Sequence, residues 1–210
     1  MADLGDILGV EVDDMVDNRL PTPQEVNTWL ARKRRTFYIT GEIGADCDVI
    51  ETAKEIIRIN AEDDEKYGEN NRPPILIYID SEGGVLDDSF YLSDLIQASV
   101  TPVYTIATGI CMSAATLILL AGKKRFAFPH SQILIHTGSA VLSGTSQQID
   151  EASKNYKRQV DLMKDYILAR TKIDIKLFNK NKSKDWYLTK DELISLGIVD
   201  ELATNLQQIT

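Results

Sequence analysis

The stretch Ile75-Leu76-Ile77-Tyr78-Ile79 is a nearly continuous apolar run, the pattern of a strand covered on both faces in a parallel sheet. Around it, β-branched and aromatic runs predict further strands at Thr36–Ile39 (stopped by Gly41), Val103–Ala107 (ended by Gly109), Arg125–Phe128 and Ile133–Ile135. Apolar residues at helical spacing predict helices from Pro23 to about Arg34, Cys47–Ala61, Asp87–Ala98 and Ser113–Leu120. The acidic segment Glu62–Asn71 reads as a loop that ends in Pro73-Pro74. Strand and helix alternating at this spacing imply βαβ units and a layered α/β fold with a mostly parallel sheet. A longer helix is expected over Ser146–Arg170, where Ile149, Ala152, Tyr156, Val160, Met163 and Ile167 form a stripe that needs a partner surface. Thr189-Lys190-Asp191-Glu192 is a capping box, so a short helix starts there and Gly197 closes it.

At 210 residues the chain suits one main domain. Its 23 basic against 32 acidic side chains, a net charge of −9, argue against nucleic acid or an anionic membrane as partner, since phosphate binding needs positive potential. The cluster Arg32–Arg35 is expected as a solvated helix end whose cations oppose the helix dipole. Cys47 and Cys111 cannot build a disulfide framework, and the acidic first residues are unlike a secretory signal, so a cytoplasmic protein is expected. The uncharged run Leu95–Gly122 is long enough for a membrane span, but Gln97, Thr101, Pro102, Thr105, Gly109 and Ser113 interrupt it. The first twenty residues, with six acids and one Arg, read as a loosely ordered arm.

Candidate chemistry is sparse. The two histidines are His130, in a turn after Pro129, and His136, at the end of an apolar strand. In Gly109-Ile110-Cys111-Met112-Ser113-Ala114-Ala115 a strand gives way to an apolar helix at a serine, where free helix N–H groups can stabilise an oxyanion. An isolated serine there is most simply an N-cap. Asp80-Ser81-Glu82-Gly83-Gly84 offers flexible backbone N–H groups for an oxyanion or a phosphate, though no nucleotide-binding glycine pattern is present and a plain turn is the simpler reading. Neither HExxH nor a Cys/His cluster occurs, and the acidic stretches lack calcium-loop spacing, so no metal and no cofactor is expected.

Taken in order, these stretches resemble the ClpP family, the proteolytic subunits of the Clp protease, within the layered ββα-type Clp/crotonase fold. The resemblance runs from about Thr36 to Leu202 and rests on Phe37–Ile43, Ile77–Gly84, Thr105–Ser113, Gly122–Pro129, Ile133–His136 and Asp185–Asp200. It implies a serine endopeptidase with Ser113 as nucleophile, His136 as base and Asp185 as its orienting carboxylate. The backbone N–H groups of Gly84 and Ala114 would form the oxyanion hole. It further implies a homo-oligomer of heptameric rings, usually stacked as a tetradecamer, that degrades unfolded polypeptides delivered by an AAA+ ATPase unfoldase. Tyr78 and Phe126 would belong to the docking surface for that unfoldase, and Ser146–Arg170 would be a protruding handle helix. On this reading residues 1–35 are an N-terminal arm and first helix, and residues 36–210 a single catalytic domain.

Several positions depart from the family pattern. Glu82 replaces a proline, Ala114 a methionine, Thr137-Gly138 a Gln-Pro pair, Ala140-Val141 a Gly-Gly pair, and Lys184 an arginine. Two other readings therefore stay open: a non-catalytic or virus-type ring subunit, and an acyl-CoA enzyme of the related crotonase type.

Overall fold

The computed structural model describes residues 20–44, 48–68 and 71–209; the expected acidic arm and Cys47 lie outside them. The chain divides into two compact units, one ending at Thr36 and one running from Phe37 onward. The first contains helix α1, Pro23–Arg34, opened by a Thr22/Glu25 capping box with proline in its first turn. Its last turn carries Arg32, Lys33 and Arg34, as expected for a cationic helix end, and Lys33 lies 4.8 Å from the Trp29 ring centre.

The second unit is a mixed α/β layer structure. Its elements are β1 (Thr36–Ile43), α2 (Val49–Tyr67), β2 (Ile75–Gly84), α3 (Leu86–Ala98), β3 (Val103–Met112), α4 (Ala114–Ala121), β4 (Lys124–Ala127), β5 (Gln132–Ile135), α5 (Ser146–Arg170), α6 (Ile175–Asn181), β6 (Trp186–Tyr187), α7 (Lys190–Ser195) and β7 (Glu201–Leu202). The sheet runs β1-β2-β3-β4-β7, with β5 branching from β3 and carrying β6. The pairs β2–β3, β3–β4, β3–β5 and β4–β7 are parallel, and β5–β6 is antiparallel. Ile75, Ile77 and Ile79 are fully buried, as the apolar run requires. Every residue of α4 is buried, so this helix is the centre of the core.

Three expectations are corrected. The acidic stretch after Ala61 is not a loop, because α2 continues to Tyr67. Glu62 is held by a helical pair with Arg58, which also bonds Glu55, and Asp64 by Arg72 from beyond the helix. Asp63 is fully buried and accepts from Thr101 Oγ1 at 2.7 Å, so the segment is not simply solvated charge. Nor do Gly41 and Gly109 end strands. β1 continues through Gly41, whose carbonyl accepts from Ser81 Oγ at 2.6 Å, and β3 continues through Gly109 to Met112.

The α5 stripe is covered only in its C-terminal half. Met163 and Ile167 are buried, Tyr166 Oη donates to the Leu117 carbonyl and Arg170 Nη1 to that of Leu120, whereas Ile149 stays exposed. The helix is thus anchored on α4 at one end and stands clear of the layer at the other. Among the described residues no helix is long and apolar enough to cross a membrane.

Candidate active site

The site is made by a change of partner along β3. Its first half, Tyr104–Ala107, pairs with β4; its second, Ile110–Met112, pairs with β5. Between them β3 gains residues against β2, because Ile79 faces Ala107 but Ser81 faces Cys111. Such a bulge bends a strand and re-aims the side chains beyond it. Asp80 holds it: its Oδ1 accepts from the Ile110 N–H at 2.9 Å, and any Cβ at Gly109 would collide with the same carboxylate.

Redirected in this way, β3 delivers Ser113 at the start of α4. Ser113 has φ +55° and ψ −124°, a conformation that costs a non-glycine residue roughly 1–3 kcal/mol. The surroundings impose it. The Ser113 N–H donates to the Leu134 carbonyl at 3.1 Å, and Thr116 Oγ1 bridges the carbonyls of Cys111 (3.0 Å) and Leu134 (2.9 Å). The Ser113 side chain makes no capping bond to α4, which removes the N-cap reading. Instead its Oγ lies 2.7 Å from His136 Nε2.

His136 comes directly after β5, and Asp185 directly precedes β6. The antiparallel register pairs Leu134 with Tyr187 and Ile135 with Trp186, and one more step along it sets His136 opposite Asp185. The contact is His136 Nδ1 to Asp185 Oδ1 at 3.1 Å. The network is satisfied when Nδ1–H donates to the carboxylate and Nε2 accepts from the Ser113 hydroxyl. The imidazole is partly buried, while the Asp185 side chain is 61% exposed. Buried Trp186 and the Leu188 N–H, which donates to the Ile133 carbonyl, anchor the aspartate's backbone.

The double-glycine turn completes the site. A Cβ on Gly83 would stand 2.5 Å from the Met112 carbonyl oxygen, 2.8 Å from Ser113 Cβ and 3.0 Å from the Ala114 nitrogen. The turn therefore lies against both the serine and the N-terminus of α4. The Gly83 N–H donates to Ser81 Oγ, which leaves Gly84 as the glycine candidate for an oxyanion donor. Ala114, first residue of α4, has an N–H with no acceptor within the helix. Glu82 alternates outward and is exposed, so its charge is not packed into this turn.

Other candidates lie elsewhere. His130 is exposed in the turn after β4. Phe126 is fully buried in a small cluster with Ile106, Ala203 and Ile209, so it presents no ring surface on this chain. Tyr78 flanks that cluster, half-buried and stacked on Tyr38 at 5.5 Å, and burial raises its hydroxyl pKa. Cys111 is wholly buried, which pushes its thiol pKa strongly upward and makes it inert. Among the described residues no cluster of three or more His, Cys, Asp or Glu could hold a metal ion. A cavity of about 440 Å³ lined by Arg72, Tyr104, Lys123 and Lys124 opens at the amino ends of β2–β4, the far end of β3 from Ser113.

Sequence reasoning missed Asp80 as the holder of the bulge and Thr116 as the brace of the serine turn. Glycine at 109 facing an acid in the preceding strand was the available signal.

The geometry thus links a serine on a strained strand-to-helix turn, through an imidazole, to a carboxylate in a mixed α/β chain with a mostly parallel sheet. The chain belongs to the Clp protease family, whose sequence model matches residues 32–206. It is 36% identical over 138 residues to the ATP-dependent Clp protease proteolytic subunit 2 of Treponema denticola, covering 65% of this chain and 69% of that one. It is 29% identical over 182 residues to the protein of the same name from Borreliella burgdorferi, covering 86% and 88%. Its fold matches the solved structure of a ClpP1 N165D mutant from Listeria monocytogenes with a TM-score of 0.74 at 24% identity, over 88% of this chain and 99% of the other.

Proposed function

We propose that this chain is a serine endopeptidase subunit that cleaves peptide bonds through Ser113, His136 and Asp185. The observation that carries the reading is the unbroken hydrogen-bonded line from Ser113 Oγ through the imidazole to Asp185. Ser113 Oγ attacks the scissile carbonyl as His136 Nε2 takes its proton, and Asp185 stabilises the imidazolium. The oxyanion forms against the N–H groups of Gly84 and Ala114. Collapse expels the amine, which leaves with the proton from Nε2. Water, deprotonated by the same nitrogen, then releases the acyl group. Nucleophile, base and oxyanion donors all come from this chain.

The relatives' name supports a subunit of an ATP-dependent protease, and the family resemblance adds an ATP-driven unfoldase as partner, a cytoplasmic location and a ring-shaped homo-oligomer that encloses the sites. Tyr78 is the better of the two docking candidates, since its ring is partly open. An assembled Ser-His-Asp line is unexpected in a non-catalytic ring subunit, so that alternative is not favoured.

The test is covalent labelling by a fluorophosphonate. The intact chain is expected to label at Ser113 and to degrade an unfolded protein, with both lost in Ser113→Ala. Labelling that persists in Ser113→Ala would refute the assignment. Sedimentation should give a mass many times the 23.5 kDa of one chain; a monomer at working concentration would remove the chamber from the proposal.

The bulge supplies a second prediction. Asp80→Ala leaves the Ile110 N–H without its acceptor, and partial exposure keeps the stability cost near about 1 kcal/mol. Labelling at Ser113, three residues along, is expected to slow by about tenfold or more, because misplacing a nucleophile costs far more rate than stability. Asp80→Asn, which retains an acceptor oxygen, should recover most of it. Wild-type labelling in Asp80→Ala would mean the bulge is held without this carboxylate.

A further inference from the structure

The exposed Asp185 raises a question of positioning. A carboxylate 61% open to solvent orients an imidazole only if the backbones on both sides are fixed, and the β5–β6 pairing ends one residue short of the pair. Two side-chain hydroxyls act beyond that point. Tyr156 Oη, midway along α5, reaches the carbonyls of Thr137 (3.2 Å) and Gly138 (3.1 Å), the two residues after His136. Thr137 Oγ1 donates to the Lys182 carbonyl at 3.0 Å, three residues before Asp185. That turn is closed in its own right, Lys182 N–H donating to Phe178 O and Lys184 N–H to Asn181 O.

The segment leaving His136 is therefore clamped from one side by α5 and from the other by the turn that carries Asp185. Little else holds it: Gly138 has φ +75°, nothing lies within 4 Å of where its Cβ would be, and residues 139–151 are exposed. We propose that Tyr156 and Thr137 are positioning residues, whose hydroxyls tie the backbone leaving His136 to α5 and to the turn that carries Asp185, and so hold the imidazole against the carboxylate. The proposal rests on the peptidase reading above and adds two residues outside the Ser-His-Asp line to the set that determines its rate.

The experiment compares Tyr156→Phe, Thr137→Ala and Thr137→Ser as full-length chains. It measures fluorophosphonate labelling, hydrolysis of a short fluorogenic peptide, and thermal midpoint. Tyr156→Phe and Thr137→Ala are each expected to lower kcat and the labelling rate about 5–30-fold, with KM within about twofold and the midpoint nearly unmoved. Thr137→Ser, which keeps the hydroxyl, is expected to restore the rate. Labelling in Tyr156→Phe within twofold of wild type overturns the proposal, as does a fall that Thr137→Ser fails to rescue while the midpoint drops. A second arm measures amide hydrogen exchange at residues 137–139 in a Ser113→Ala background, with and without Tyr156→Phe. Faster exchange supports the clamp, and unchanged exchange overturns it. If wild-type Ser113 never labels, the peptidase reading fails, while the exchange arm still decides whether Tyr156 holds the segment.

Discussion

Ser113→Ala and His136→Ala are each expected to lower kcat on a peptide substrate by about 10⁴–10⁶-fold, and the double variant by no more than the worse single one. Ser113 Oγ and His136 Nε2 stand 2.7 Å apart, and in the proposed mechanism the first gives its proton to the second, so removing either ends the same step and their losses cannot add. The residual rate, about 10³–10⁴-fold over water, would come from the Gly84 and Ala114 N–H groups and from substrate binding. Asp185→Asn should cost less, about 10²–10³-fold. Its contact with Nδ1 is 3.1 Å long and open to solvent, where water partly replaces a lost carboxylate and screens the one that is present. Single-turnover kinetics on protein titrated for folded sites would check the order. A Ser113→Ala variant that keeps a tenth of the activity would leave the serine without its assigned role.

What can be read from the sequence divides along the line between local and non-local causes. The bounds of α5, 146–170, are set by the Thr145/Gln148 capping box and by the apolar period, both local, and the expected helix has the same bounds. The buried strand β2 and α4, apolar but for Thr116, are equally plain. Local propensity misreads Gly109, because glycine in general breaks strands. Here it is required by a carboxylate 29 positions earlier in the chain, and it sits inside a bulge rather than at an end. Composition misreads the stretch after Ala61, because a run of acids resembles a loop. Ile56, Ile59 and Asp63 in fact continue the helical spacing, and the acid at the buried position is met by Thr101 from another element.

The same division runs through the site. Ser113 by itself reads as an N-cap, and no propensity scale foresees its positive φ, which is imposed by bonds to Leu134 and Thr116 on either side. Asp185 carries no local signal; only the resemblance points to it. Its placement depends on strand pairing between segments some fifty residues apart, since β5 must meet β6 in one register for the aspartate to face the imidazole. Tyr156 is visible as an apolar-stripe residue, but periodicity registers a ring and is blind to what its hydroxyl reaches.

The double-glycine turn carries the second large expected effect. Gly83 has φ +96° and Gly84 φ +147°, conformations that side chains rarely adopt. Space compounds the strain. An alanine at 83 would drive its methyl into the Met112 carbonyl, Ser113 Cβ and the Ala114 nitrogen, and one at 84 would collide with the backbone of Ile43, whose carbonyl accepts from the Val85 N–H. These obstacles are backbone or short side-chain atoms in the core, so they cannot swing aside. Each substitution is expected to cost about 3 kcal/mol or more. Gly83→Ala should also abolish fluorophosphonate labelling in the fraction that remains folded, because the atoms it displaces are the Cβ of the proposed nucleophile and the nitrogen of one proposed oxyanion donor. Gly84→Ala acts first on the β1–β2 contact and so should lower the thermal midpoint at least as far. Measuring midpoint and labelling together separates the two. A Gly83→Ala chain that folds and labels at the wild-type rate would show that the turn does not lie against Ser113, and the oxyanion assignment would fall with it.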